Sequence, residues 1–201
     1  AVAQQRTKDF KGAVASISEL LEKYPTTKLR GIANFAIGEY LYRLEQYKRA
    51  LPYLQELADD GNPKVIYRLG WTLFELGQYQ ASIEQFTRLT SADNEFRSEA
   101  LYMCGRCHEN LEQPADAIPF YEQLVALGQK DKHVDKAFQR LAFLYDGDNL
   151  TTLINNYRSE FPDGEFGDIM LLKAAEVSFA EGQIDDAGSK YQALADKELT
   201  E

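Results

Sequence analysis

The sequence predicts an all-α chain, a solenoid of stacked antiparallel helix pairs, and three observations carry that reading. Small residues recur at a near-constant interval: Gly38, Gly70, Gly105, Ala142 and Ala175. Around each, packing residues stand on one face at helical pitch, the pattern of an amphipathic helix. One turn earlier come Asn34, Ile66, Leu101, Phe138 and Leu171; three residues later come Leu41, Leu73, His108, Tyr145 and Ser178. Finally, a polar turn follows in "LEQYKRA", "LGQYQAS", "LEQPADA" and "EGQIDDA", and a second amphipathic run begins after it.

That second run opens on Tyr47, Tyr79, Pro114 or Ile184, then places Ala50, Ser82, Ala117 or Ala187 where two backbones must approach. Leu54, Phe86, Tyr121 and Tyr191 follow, and then Leu57, Leu89, Leu124 and Leu194. Pro52 and Pro119 are expected in the first turn or so of their helices, where a missing N–H is tolerated. At the start of the chain, "KDFKGAVASISELLEKYP" matches a turn and a second helix, with Phe10, Ala13, Ile17 and Leu20 in register. Its first helix would precede Ala1, so residues 1–27 are expected to be a partial repeat and the chain part of a longer protein. Helical hairpins are then expected over 28–61, 62–93, 94–130, 131–163 and 164–198, in a single array spanning 1–201. The repeat holding "LYDGDNLTTLINNYRSEFP" has a shortened turn and lacks the small residue of the second helix, so less regular packing is expected there.

At these columns the chain resembles the tetratricopeptide repeat (TPR) family, whose period is about 34 residues with two helices per repeat. "YRLGWTLFELGQYQASIEQFTRL", Tyr67 to Leu89, is its clearest copy. The resemblance implies a right-handed superhelix whose first helices line a concave groove. The junctions "LLEKYPTTKLRG" and "SEFPDGEF" are also similar to TPR scaffolds of the bacterial envelope and periplasm, which implies such a setting.

Composition narrows the function. Of 201 residues 44% are hydrophobic, enough for a core, and the net charge of −10 argues against a nucleic-acid partner, since phosphate contacts need clustered Lys and Arg. No apolar run is long enough to span a bilayer. The opening "AVAQQ" reads equally as the scar of a signal-peptide site or as a helix fragment. "MCGRCHE", Met103 to Glu109, contains Cys-x-x-Cys-His, the spacing of covalent haem attachment. In register, however, Gly105 is the repeat's own small residue, Cys104 replaces Ile37 and Leu69, and His108 replaces Leu41 and Leu73. Packing explains every letter of the motif; haem, a zinc site or a regulatory thiol pair explains only part of it. No cofactor or metal is assigned. "DGDN" (Asp146–Asn149) lacks the rest of a calcium loop and reads as a helix turn. The sequence holds no Gly-rich phosphate loop, no His-Glu-x-x-His and no nucleophile motif, so no enzyme activity is expected.

Function is then expected from surface shape. The face looking away from the inter-helix packing carries Phe35, Tyr42 and Arg43, then Tyr67, Trp71 and Phe74, then Tyr102 and Arg106, with Phe143 further on. Tyr, Trp and Arg dominate binding hot spots. Co-chaperone members of the family use Lys and Asn on this face to hold a terminal carboxylate; Phe35 with Glu39, Tyr67 with Trp71, and Tyr102 with Arg106 depart from that pattern. The expectation is a scaffold that binds a protein or peptide segment in an aromatic groove. A self-associating structural scaffold is the alternative.

Overall fold

The computed structural model describes residues 9–91, 94–128, 131, 133–162, 164 and 166–198. The opening Ala1–Gln5 lies outside the described residues, so neither reading of it bears on the fold. Among the described residues there are eleven helices and no strand. In order they are α1 (Phe10–Lys23), α2 (Arg30–Arg43), α3 (Tyr47–Ala58), α4 (Pro63–Glu75), α5 (Tyr79–Thr90), α6 (Arg97–Asn110), α7 (Pro114–Val125), α8 (Val134–Leu144), α9 (Gly147–Glu160), α10 (Gly167–Ala180) and α11 (Ile184–Glu198). The chain divides into two compact units, Ala1–Leu111 and Glu112–Glu201.

Local chemistry sets the helix ends. The Asp9 side chain accepts from Gly12 N at 2.7 Å and the Asn62 side chain from Lys64 N at 3.0 Å, each satisfying an orphan donor of a first turn. Pro63 and Pro114 open α4 and α7, where the ring's fixed φ suits the helix. The turns inside the hairpins share one geometry. After α2, Gln46 N donates to Leu41 O and Glu45 N to Tyr42 O, with Glu45 at φ 59°. After α4, Gln78 N donates to Leu73 O and Gly77 N to Phe74 O, with Gly77 at φ 71°. After α10, Gln183 N donates to Ser178 O and Gly182 N to Phe179 O. This is the Schellman closure, in which a left-handed residue lets the chain return its N–H groups to the last carbonyls. The α8–α9 link lacks it: Tyr145 is extended and Asp146 already precedes α9, so the link is one residue shorter than the three of a Schellman return.

Pro52 and Pro119 lie deeper than the sequence suggests. Each is the sixth residue of its helix, in the second turn, where it removes one intrahelical hydrogen bond. Both are exposed, so the freed carbonyl of the preceding turn can reach water.

Packing within a hairpin turns on the small residues. In the first unit Ile37, Leu41, Ala50, Leu54, Val65, Leu69 and Leu73 form one buried cluster. A Cβ on Gly38 would lie 2.8 Å from Leu54, and one on Gly70 2.9 Å from the Phe86 ring, so glycine alone admits these neighbours. Ser82 is buried, but its hydroxyl donates to Gly70 O at 2.8 Å, so the close approach leaves no polar group unmatched. In the second unit Phe138, Tyr157 and Phe161 form a ring cluster, with Tyr157 stacked on Phe161 at 5.3 Å. The Tyr157 hydroxyl accepts from Phe166 N at 3.0 Å.

Candidate functional site

The first helices of the first unit, α2, α4 and α6, are tied together by side chains on one face. Arg68 of α4 forks onto Glu39 of α2, with Nε 2.6 Å from Oε2 and Nη2 3.1 Å from Oε1. Glu39 also accepts from Arg43 Nε at 3.0 Å. The Arg68 guanidinium lies 4.2 Å from the centroid of the Tyr42 ring and 5.8 Å from that of Tyr67. Tyr67 in turn donates its hydroxyl to Glu99 of α6 at 2.8 Å. A bidentate ion pair, a cation–π contact and a charge-assisted hydrogen bond thus link the first helices of three successive hairpins.

The rings pack on one another as well. Tyr67 stacks on Phe96 at 4.5 Å, and Trp71 meets Phe74 at 5.8 Å and the core ring of Phe86 at 6.2 Å, edge to face. Phe74 meets Tyr79 at 5.4 Å, and Tyr42 meets Tyr47 at 5.3 Å. Tyr42, Tyr67, Trp71, Phe74 and Tyr102 are all half-buried, each sharing its surface between the chain and solvent. Burial pushes the Tyr42 phenol up to about 12, helped by the Glu75 carboxylate and opposed by Arg68. Burial also pushes Tyr67 up to about 12, with the hydrogen bond to Glu99 adding to the rise and the charge of Arg68 opposing it. Trp71 Nε1 is buried and closes no hydrogen bond of its own. On α6, Arg106 Nη1 donates to the Tyr102 hydroxyl at 3.2 Å and Arg106 Nε stands 3.5 Å from Glu109.

The sequence-derived residues therefore fall into three places. Tyr42, Arg43, Tyr67, Trp71, Phe74, Tyr102 and Arg106 belong to the linked face. Phe35 is half-buried against the core and lines a separate cleft of about 310 Å³ with Ile32, Leu57 and Val65, rimmed by Lys28 and Asp60. Phe143 lies in the second unit, 53% exposed, with Lys173 Nζ 5.1 Å from its ring. Arg68 is the residue that sequence reasoning missed. Its signal was a cation one residue past the aromatic column, beside Tyr67, opposite a carboxylate on the preceding first helix.

The Cys-x-x-Cys-His stretch lies in α6 with both thiols free and buried. Cys104 Sγ lies 3.7 Å from the Thr87 hydroxyl and Cys107 Sγ 3.5 Å from the Ser82 hydroxyl, so both sulfurs face α5. Burial raises Cys104 to about 12 and Cys107 to about 11, the opposite of a reactive or metal-binding thiol. Among the described residues no cluster of three or more His, Cys, Asp or Glu side chains could hold a metal ion. Nor is any helix there long and apolar enough to cross a membrane.

Comparison with known proteins follows the same line. No curated protein sequence matches the chain. Solved structures do. A crystal structure of MamA superposes with a TM-score of 0.70 at 18% identity, covering 86% of this chain and 94% of that one. YrrB, described as a TPR protein with an unusual peptide-binding site, gives 0.67 at 15% identity, covering 90% and 91%. PilF of Pseudomonas aeruginosa gives 0.64 at 18% identity, covering 96% and 86%. These likenesses show the fold, an all-helical TPR solenoid. The tetratricopeptide repeat sequence profile matches residues 1–64 and 67–132, and with that match the chain belongs to the tetratricopeptide repeat family.

Proposed function

We propose that this protein is a non-enzymatic scaffold that captures a polypeptide segment on the first-helix face of its first unit, centred on Trp71. The family fold supports a protein–protein interaction scaffold. The observation that carries the finer reading is the linked row of half-buried rings on α2, α4 and α6, already ordered by Arg68–Glu39 and Tyr67–Glu99. Ordering these side chains before a partner arrives lowers the entropic cost of binding. Each ring keeps part of its surface for a ligand, the state in which Tyr and Trp act as anchors. The Arg43 and Arg106 side chains supply polar contacts beside them.

The test is selection from a displayed peptide library against wild type, followed by titration of the chosen peptides. Trp71 is the only tryptophan, so its fluorescence reports the site directly. Peptides should perturb that emission on binding, and a Tyr102→Ala, Arg106→Glu variant of unchanged helicity should bind them at least tenfold more weakly. Selected peptides that bind the variant equally, with Trp71 emission unmoved, would overturn the assignment of this face.

A second reading, self-association, draws on a different surface. Phe179 and Ile184, on α10 and α11, are 61% and 59% exposed, and Leu172 and Tyr191 are exposed nearby. Exposed apolar patches of this kind mark interfaces. Sedimentation of wild type and of a Phe179→Ser, Ile184→Ser variant decides it: a concentration-dependent mass lost in the variant supports the reading, and a monomer at all concentrations removes it.

A further inference from the structure

The last hairpin departs from the packing of the α2–α3 and α4–α5 hairpins. Ser178 stands in the column where Leu41 and Leu73 sit buried in the first unit. A buried leucine exchanged for serine loses apolar contact and adds a polar group that must be matched. Here it is matched twice over. Ser178 Oγ donates to Asp186 Oδ2 at 2.6 Å and accepts from Lys190 Nζ at 2.7 Å, while Lys190 also bonds Asp186 directly. Lys190 holds the Asp186 carboxyl below its ordinary range.

The missing bulk opens a cleft of about 280 Å³ between α9, α10 and α11. Buried Ile154 and half-buried Val177 give it an apolar floor. Arg158 lines the α9 wall, and among the described residues it has no ion-pair or hydrogen-bond partner. The charges within the cleft select among ligands. Asp186 is matched by Lys190, and the Glu181 carboxylate already accepts from Gln183 Nε2 at 3.0 Å. Arg158 is the one cation left to receive an anion. A dianion would meet Asp186 and Glu181 with a second, uncompensated charge. An uncharged molecule would leave the guanidinium unused, and a cation would be repelled by it.

We propose that this cleft binds a carboxylic acid with a short apolar body, its carboxylate on Arg158 and its hydrocarbon on Ile154 and Val177. The Ser178–Asp186–Lys190 cluster forms the opposite wall and keeps it open. It is a binding cluster: the Ser178 hydroxyl is held between the Asp186 carboxylate, to which it donates, and Lys190 Nζ, from which it accepts. The site is independent of the aromatic face of the first unit.

The test is titration of the whole chain with butyrate, followed by the backbone amide resonances of Thr151 and Asn155, which line the cleft. Butyramide, butylamine and inorganic phosphate are the comparison probes. Butyrate should shift those resonances saturably, and the other three should not. An acetylated tripeptide ending in valine carries the same carboxylate on a chain; saturation by it as well shows that a chain end also serves, and by butyrate alone that the ligand is a free acid. Arg158→Gln should weaken butyrate at least tenfold. Ser178→Leu, which restores the bulk found in the first unit, should abolish binding with unchanged helicity. Should Ser178→Leu fail to fold, the exposed Arg158→Gln change still decides. No saturable shift, equal shifts with butyramide or phosphate, or unchanged binding in Arg158→Gln would overturn the proposal.

Discussion

Two glycines show how single atoms set the hairpin geometry. At Gly70 a methyl group would sit 2.9 Å from the Phe86 ring, a rigid neighbour inside a filled core. Gly70→Ala should therefore destabilise the protein by about 1–3 kcal/mol, the usual cost of overpacking. At Gly188, within α11, nothing lies within 4 Å, so Gly188→Ala should stabilise by about 0.5–1 kcal/mol through helix propensity alone. Urea unfolding of the two variants checks both signs. The buried acids make a second prediction at this scale. Cys104 and Cys107 ionise near 9 when exposed and near 12 and 11 when folded; Tyr42 and Tyr67 move from 10 to about 12. Each folded pKa is raised, so the unfolded chain releases protons first. The stability these four groups contribute should be level below pH 9 and fall between pH 9 and 12. A urea midpoint that stays constant to pH 12 would contradict this, and a Cys104→Ala, Cys107→Ala variant should flatten the earliest part of the fall.

Between elements, the decisive link is Arg68 to Glu39, because it joins two first helices that no loop connects directly. Both side chains are about four-fifths buried, with 20% and 18% of their surface exposed. Hydrogen bonds to charged partners in such a setting contribute about 1–3 kcal/mol. Arg68→Lys keeps the charge but loses the fork and the stacking on Tyr42, so it should cost roughly 1–2 kcal/mol and free the Tyr42 ring. Thermal unfolding measures the first effect, and a fall in the Tyr42 pKa would not accompany it, since Arg68 is the group now lowering that value. The helices themselves were legible in the sequence: small residues repeat because two backbones can approach only there, and the polar turns "LEQY", "LGQY", "LEQP" and "EGQI" recur because a left-handed residue closes α2, α4, α6 and α10. The cross-helix links were not legible. Arg68 and Glu39 are far apart in the chain, and their meeting depends on helix rotation that a period alone does not fix. The same holds for Tyr67, whose aromatic character was evident but whose stacking on Phe96 and bond to Glu99 required coordinates. Pro52 and Pro119 were placed a turn too early although their helices begin where the sequence puts them, on Tyr47 and on Pro114: the sixth residue of a helix already lies in its second turn.

For the whole molecule, the question is how far stability is shared. In repeat proteins each element touches mainly its neighbours, so stability is a sum of local terms and interfaces, and no single core enforces all-or-none unfolding. This chain divides into two compact units, and their cores differ in kind: leucine and isoleucine closed over glycine in the first, the Phe138, Tyr157 and Phe161 rings in the second. The chain also contains a reporter restricted to one of them. Trp71 lies in the first unit, packed on Phe86 beside Gly70, whereas helical circular dichroism sums over both units. Urea curves from tryptophan emission and from circular dichroism should therefore fail to coincide. Gly70→Ala sharpens the test, since it weakens the packing under Trp71 and leaves the second unit's contacts intact. It should move the emission midpoint to lower urea while shifting only the corresponding part of the dichroism curve. Coincident curves in wild type, displaced together by Gly70→Ala, would mean that the two units unfold as one and that the interface terms outweigh the local ones.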